Sequence, residues 1–393
     1  MKVLFVDDEP RVLEALERSL HIGGGGWETR FVNSGEAALA ALDDTQFDVI
    51  VSDMRMPGMD GAALLAAVAA RAPAMVRIVL SGQAEEASAL RVVRVAHQFL
   101  AKPCDVKTLR QVVERTGALH RTLADPALRA MLGGVDRLPS ALHVYQELDR
   151  LLAHDQVSTD AVTDVVRQDP AMASKLLQFA NSSFFALSRE IPDVRSAVIR
   201  LGTKTIKNLA LALGVFETVG KKIQPPLFSV EEMQRRSFAI AKMAAALADP
   251  ALSDAAYIAG LVCDLGELVL ASNAPERLAS AWNDSTARNV TRTEGERAAF
   301  GVTHAEVGAY LLSLWGLPFR VIEAVALHHN PREGAQPGSG LVRVVWVAAC
   351  VAAGEEPDPI MIQELDAHVL LQRARDLRVN VPLPAHREKV NLR

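Results

Sequence analysis

Cysteine is scarce in this 393-residue chain: Cys104, Cys263 and Cys350 stand far apart and form no CxxC pair. A disulfide framework and a cysteine-built zinc site are thereby excluded as organising principles. Aromatic residues make up only 5%, and alanine is abundant, a balance that favours helix. Basic charge is not in excess, since 42 Lys and Arg face 47 Asp and Glu for a net charge of -5. A general polyanion or nucleic-acid binder would carry the opposite surplus. No stretch approaches the roughly 18 uninterrupted apolar residues of a membrane span. The chain opens on MKVLFV followed by acids, where a signal peptide would carry a longer apolar core. The expectation is a cytoplasmic protein with no membrane partner.

What the chain does have is apolar material in two rhythms. Half of its residues are apolar and 23% charged, enough to bury a core, and the length suits two or three domains. Short apolar runs at Lys2–Val6, Trp27–Val32, Val49–Val51, Val76–Leu80 and Gln98–Ala101 read as strands. Between them, Pro10–Leu20, Ser34–Leu42, Ala62–Ala70, Ala84–His97 and Val106–His120 have helical spacing. Such alternation predicts an α/β domain with a five-stranded, doubly wound parallel sheet. From about residue 122 the strand rhythm stops. Residues 127–377 read as helix after helix, broken by Pro139, Pro170, Pro192, Pro225, Pro226, Pro318 and Pro331, so the second domain is expected to be all-α. Ile360–Leu377 reads as one amphipathic helix. The glycine run Gly23–Gly26 lies between a helix and a strand, the order of a turn and not of a phosphate-cradling loop.

In an open α/β sheet, ligands sit at the carboxyl ends of the strands. Asp7 and Asp8 end the first strand, Asp53 the third and Ser81 the fourth, and Lys102 follows the fifth. Three clustered carboxylates repel one another, and a divalent cation relieves that repulsion. Hard oxygen ligands with retained waters suit Mg²⁺. A carboxylate so placed can take a phosphoryl group as an acyl phosphate, while a hydroxyl and an ammonium hold its oxygens.

With VDDEP (6–10), SDMRMPGMDG (52–61), LSG (80–82) and FLAKP (99–103), residues 1–122 resemble the receiver domain of two-component response regulators. The resemblance implies a flavodoxin-like fold with Asp53 as the phosphoacceptor. It implies Mg²⁺ held by Asp8, Asp53 and the backbone carbonyl of Arg55, with Asp7 in support. Ser81 and Lys102 would assist the chemistry, and Ser81 with Phe99 would form the switch pair. Many family members have Thr and Tyr at those two places. The implied partner is a sensor histidine kinase or a phosphotransfer protein.

The stretches DPAMASKLLQFANSSFF (169–185), AVIRLG (197–202), AGLVCDLGELVL (259–270), HAEVGAYLLSLWGLP (304–318) and EAVALHHNP (323–331) together resemble the HDOD domain, over about residues 126–353. HDOD is a divergent relative of the HD metal-dependent phosphohydrolases. In catalytic HD enzymes a His-Asp pair joins further histidines and an aspartate to bind metal, which activates water. Here Cys263 precedes Asp264 in place of that histidine. Arg235, Arg236 and Ser237 stand where an early histidine ligand would fall, and Asn330-Pro331 follows His328-His329. Cys263, Asp264, His304, His328 and His329 thus make a degenerate HD site, and an arginine near it opposes a cation.

The resemblance implies a non-catalytic, protein-interacting output. No metal is expected in the HDOD domain, and Arg235-Arg236 read as a solvated face. The expected organisation is receiver 1–122, helical linker 123–138, HDOD 139–353 and a helical extension 354–393. The function expected is that of a phosphorylation-controlled response regulator, not an enzyme, acting on a downstream signalling protein. A homodimer is expected, and DNA is not an expected partner, since no helix-turn-helix or basic domain is present. The alternative is a receiver-gated, metal-dependent phosphohydrolase acting on a nucleotide or cyclic dinucleotide. A third reading keeps the old cleft as a nucleotide sensor.

Overall fold

The fold is seen in a computed structural model that describes residues 1–22, 27–81, 95–102, 104–122, 126–133, 138–140, 147–148, 150–152, 157–181, 191–213, 216–218, 228–334 and 340–378. The five expected strands form as β1 Lys2–Val6, β2 Glu28–Val32, β3 Val49–Asp53, β4 Val76–Ser81 and β5 Gln98–Ala101. They pair in parallel in the order β2-β1-β3-β4-β5. The central strand β3, VIVSD, is buried along its whole length, as a strand covered on both faces must be. Among the described residues of this domain, the helices are Pro10–Ile22, Gly35–Asp44, Gly61–Arg71 and Val106–Thr122. Ser34 and Asp60 start two of these by accepting from the backbone N–H of Ala37 and Ala63, the usual work of short polar side chains at a helix start. The run Gly23–Gly26 and most of the expected helix Ala84–His97 lie outside the described residues.

The chain order reverses at β1, which has β2 on one side and β3 on the other. That reversal opens a crevice at the carboxyl ends of β1 and β3, where Asp7, Asp8 and Asp53 lie.

The second domain is mostly helical, with one correction to the all-α expectation. Leu138–Ser140 (β6) and Phe216–Thr218 (β7) pair in parallel as a two-stranded sheet. Three residues are too few to display a period of two, and Pro139, read as a helix breaker, sits in an isolated pair where no further neighbour needs its missing N–H. The helical core packs Val230–Leu247 on Ser253–Val262, Leu265–Asn273 on His304–Leu314, and Phe319–Leu327 on both His304–Leu314 and Gly340–Ala353. The run 250–273 is apolar and long enough in principle to cross a membrane, but 83% of its apolar window is buried inside the protein.

The expected single helix Ile360–Leu377 is instead two, Pro359–Glu364 and His368–Arg378. The break falls at Asp366, whose φ of 49° is left-handed, a conformation aspartate tolerates better than most residues. Arg373 then ties the last helix to the domain by donating to the carbonyls of Ala246 and Leu247.

The two domains meet at the amino ends of β4 and β5. Arg77 is only 3% exposed and donates from Nη2 to the Gly133 carbonyl at 2.7 Å, and also to the carbonyls of Pro73, Met75 and Val95. Its own backbone N–H donates to His97 Nδ1 at 3.0 Å, so His97 Nε2, 3.1 Å from the same Gly133 carbonyl, carries the ring proton. Gln98 Nε2 donates to the Ser313 carbonyl at 2.7 Å, and Gln178 Nε2 to the His97 carbonyl at 3.4 Å. Gly133 closes the seam because a Cβ there would stand 1.9 Å from the Pro73 carbonyl oxygen. The segment expected as a linker therefore includes a docked helix, Pro126–Gly133, with Leu128 and Leu132 buried.

Candidate functional site

Among the described residues, two clusters of chemistry-bearing side chains form, one in each domain. In the first, Asp7, Asp8 and Asp53 bring carboxylate oxygens within 4.8 Å of one another. Asp7 and Asp53 are buried and Asp8 is half-buried. Lys102 bridges the pair, its Nζ lying 2.7 Å from Asp7 Oδ2 and 2.7 Å from Asp53 Oδ1. Asp7 Oδ1 accepts from the Glu9 backbone N–H at 3.0 Å, which fixes the turn after β1.

Burial raises the pKa of Asp53, against the pull of Lys102. Burial also works against the charge on Lys102, but the hydrogen bonds to Asp53 and Asp7 win and raise its pKa. The ammonium thus stays charged between the two acids. Three hard oxygen donors in this crevice suit Mg²⁺, which would be held by Asp7, Asp8 and Asp53.

Ser81 ends β4 opposite Ala101, and Phe99 pairs with Val79 in β5. Phe99 is buried, while the Ser81 side chain lies outside the described residues. Arg55 is exposed in the loop after β3.

In the second domain Asp264, His304, His328 and His329 gather, with ligand atoms within 4.8 Å. Asp264 ends the helix pair at the Ser253–Val262 to Leu265–Asn273 junction, His304 opens helix His304–Leu314, and His328 closes helix Phe319–Leu327. Thr303 caps its helix with Glu306 as a reciprocal capping box, which fixes the first turn that carries His304. Gly266 lets the next helix in, because a Cβ there would meet the His304 carbonyl oxygen at 1.9 Å.

His304 Nδ1 lies 2.7 Å from Glu296 Oε2, whose other oxygen accepts from Trp282 Nε1 at 3.0 Å. Burial works against charge on His304, but Glu296 overrides it and lifts the pKa to about 9. His329 is exposed at its outer edge. Desolvation of its inner edge, with His328 and His304 beside it, holds its pKa well below the ordinary histidine value.

Two sequence expectations are corrected here. Arg236 is not on a solvated face. Its Nε donates to Asp264 Oδ2 at 2.7 Å and its Nη2 pairs with Glu267. A guanidinium turned inward between two buried carboxylates is worth more than one in water, and a charge run does not reveal which member turns. Burial alone would raise the pKa of Asp264, but Arg236 and the histidines hold it well below the carboxylate range. Cys263 does not join the cluster. Its buried thiol donates to the Gly260 carbonyl at 3.3 Å, and burial pushes its pKa well up.

Glu267 and Glu296 were missed. Glu267 sits in the same apolar run as Asp264, and the same argument for a partner applies to it. Glu296 lies in RTEGERAAF, a segment that reads as solvated, and only tertiary packing turns it inward.

A family model described as the HDOD domain matches residues 138–331, and one described as the response regulator receiver domain matches residues 3–114. Among curated relatives, an uncharacterized protein of Treponema pallidum is 27% identical over 271 residues, covering 68% of this chain and 51% of its own length. The DNA-binding transcriptional regulator NtrC of Escherichia coli K12 is 27% identical over 205 residues, covering 52% of this chain and 42% of its own. The response regulator protein FleR of Pseudomonas aeruginosa is 36% identical over 115 residues, 29% of this chain and 24% of its own. The chain thus spans about half or less of the length of these relatives.

Among solved structures, a virulence factor of Campylobacter jejuni shares the fold with a TM-score of 0.51 at 18% identity, over 63% of this chain and 90% of that one. The MmoQ response regulator of Methylococcus capsulatus aligns with a TM-score of 0.49 at 23% identity, over 61% of this chain and 98% of that one.

Proposed function

We propose that this chain, which joins a receiver domain to an HDOD domain, is a response regulator controlled by phosphorylation of Asp53. The observation that carries this reading is Lys102 bound at 2.7 Å to both Asp7 and Asp53 at one strand rim.

The donor would be a phosphohistidine on a sensor kinase or phosphotransfer protein. An Asp53 carboxylate oxygen attacks phosphorus, the P–N bond breaks, and the released imidazole nitrogen takes up a proton. Mg²⁺, held by Asp8, Asp53 and the backbone carbonyl of Arg55 with Asp7 in support, would supply charge neutralisation for the carboxylates and the arriving phosphoryl oxygens. Lys102 pairs with a phosphoryl oxygen as a point charge. Ser81 donates its hydroxyl to another as it moves towards the phosphoryl group, and the Phe99 ring turns inward, which would give β4 and β5 a second arrangement.

The HDOD domain reads the difference by binding a downstream signalling protein, with homodimerisation as part of the response. Only contacts that differ between the two arrangements shift their populations. Hydrolysis in the helical domain is not part of this reading, because Arg236 already grips Asp264 and the Cys263 thiol faces its own helix. The division into receiver 1–122, linker 123–138, HDOD 139–353 and extension 354–393 belongs to the same proposal.

The test is light scattering and small-angle X-ray scattering of the full chain in Mg²⁺, with and without beryllofluoride as a phosphoryl mimic. A change in shape or oligomeric state that Asp53→Asn abolishes is expected. Demonstrated beryllofluoride binding with an unchanged profile would overturn the coupling.

A further inference from the structure

The helical-domain cluster has a geometry that its hydrogen bonds alone do not account for. His328 Nε2 is buried and without a hydrogen-bond partner, and Asp264 Oδ1 stands 3.5 Å from it. The same Oδ1 stands 3.7 Å from His304 Nε2. His329 Nε2 faces His304 Nε2 at 3.1 Å. A tetrahedral site with donor–metal bonds of about 2.0–2.1 Å has neighbouring donors about 3.3 Å apart. The three separations bracket that value.

The rings are also oriented from behind. His304 Nδ1 is held by Glu296 Oε2 at 2.7 Å, and His328 Nδ1 donates to the Val325 carbonyl at 2.7 Å. With each Nδ1 engaged outward, each Nε2 is the ring atom left to face inward. An imidazole backed by a carboxylate or a carbonyl is how proteins set a metal-binding tautomer.

Charge points the same way. Asp264, Glu267 and Glu296 are all buried, and Arg236 is the cation that pairs with the first two. Once an ion displaces the proton on His304, three carboxylates against one guanidinium leave two negative charges, the complement of one divalent ion. The objection that an arginine opposes a cation loses its force here. The guanidinium occupies Asp264 Oδ2 and Glu267, which leaves Oδ1 to the histidines.

An entry path exists as well. A cavity of about 450 Å³, lined by His329, Asn330, Thr303, Glu306 and Tyr310 among others, reaches the cluster at His329.

We propose that Asp264, His304, His328 and His329 bind one divalent transition ion of the zinc class in a four-coordinate site. The set of three imidazoles and one carboxylate suits Zn²⁺ better than Mg²⁺. With all four positions taken by protein, the ion ties together the helix ends around residues 264, 304 and 328. This replaces the sequence expectation of no metal in this domain, and it does not depend on the phosphorylation reading.

The full chain, stripped with a chelator and kept in excess Mg²⁺ to occupy the receiver rim, is titrated calorimetrically with Zn²⁺ and, separately, followed by visible absorption with Co²⁺. One Zn²⁺ per chain and the intense Co²⁺ bands of a four-coordinate site are expected. The double variant His304→Gln/His328→Gln should lose both signals. Glu296→Gln, which touches only the back of His304, should weaken Zn²⁺ binding by about 10–100-fold. A wild-type chain that holds no more Zn²⁺ than the double variant would overturn the proposal and leave a shared proton between His304 and His329 as the link. Should the double variant fail to fold by circular dichroism, the wild-type Co²⁺ spectrum decides alone, and the weak bands of a six-coordinate ion would overturn the site.

Discussion

Arg236 does at the centre of the helical domain what Lys102 does at the receiver rim: each is one cation serving two acids. Arg236 holds Asp264 and Glu267, while Lys102 holds Asp7 and Asp53. The two pairings differ in exposure and therefore in consequence. Lys102 is 28% exposed and its acids can trade it for a hydrated cation, whereas Asp264 and Glu267 are 7% and 6% exposed. Truncating one partner of a buried pair leaves the other charge desolvated and unmatched, a loss of about 3–5 kcal/mol. Arg236→Ala should lower stability by an amount in that range in urea denaturation of the metal-free chain. A loss within about 0.5 kcal/mol, as for ordinary surface substitutions, would show that water reaches these acids in solution. The rim residues were legible in the sequence because they fall at strand ends, where chain order alone brings them together. Arg236, Glu267 and Glu296 were not read correctly, because each is turned inward by a neighbour from another helix.

At the scale of elements, legibility followed the length of the pattern. Strands β1 to β5 are runs of four to six residues, mostly apolar except in β2, with helical spacing between them, and all five stand where the sequence placed them. Strands β6 and β7 have three residues each, too short for a period to register. The last helix was read as continuous, since its apolar stripe survives the break while the left-handed Asp366 interrupts only the backbone. Close approach of helices is likewise written in the sequence only as a glycine. Gly266 allows helix Leu265–Asn273 to meet helix His304–Leu314, and a methyl group there would strike the backbone of His304 and Gly308. Backbone atoms inside a helix yield less than side chains, so Gly266→Ala should cost about 1–3 kcal/mol by chemical denaturation. The same variant should weaken Zn²⁺ binding, since it displaces the turn that carries His304. A variant as stable as the parent would mean that these helices sit farther apart in solution.

On the scale of the whole molecule, the acidic rim and the seam between the domains lie at opposite ends of the same strands. Ser81 closes β4 at the rim and Arg77, the second residue of β4, stands at the seam, a span of about 13 Å at the rise of an extended chain. Phe99 lies in β5 directly after the seam residues His97, which precedes the strand, and Gln98, which starts it. Loosening the seam should therefore spare the chemistry and impair its readout. Gln98→Ala removes the hydrogen bond to Ser313, and it should leave the rate of Asp53 phosphorylation by a small phosphodonor unchanged. It should also reduce the beryllofluoride-dependent change in scattering. A slower phosphorylation with an intact scattering response would reverse the assignment of the two ends.

In mechanical terms, β4 and β5 form a lever whose load and effort sit on different domains. A lever transmits only if its far bearing has no play. Gly133 supplies that bearing: its carbonyl is gripped by Arg77, and the Pro73 carbonyl leaves no room beside it for a single methyl group. Under the phosphorylation proposed for Asp53, a small tilt of the strand pair would be passed on as motion of helix Pro126–Gly133 and not absorbed as slack, so that the phosphoryl group would move a surface it never touches.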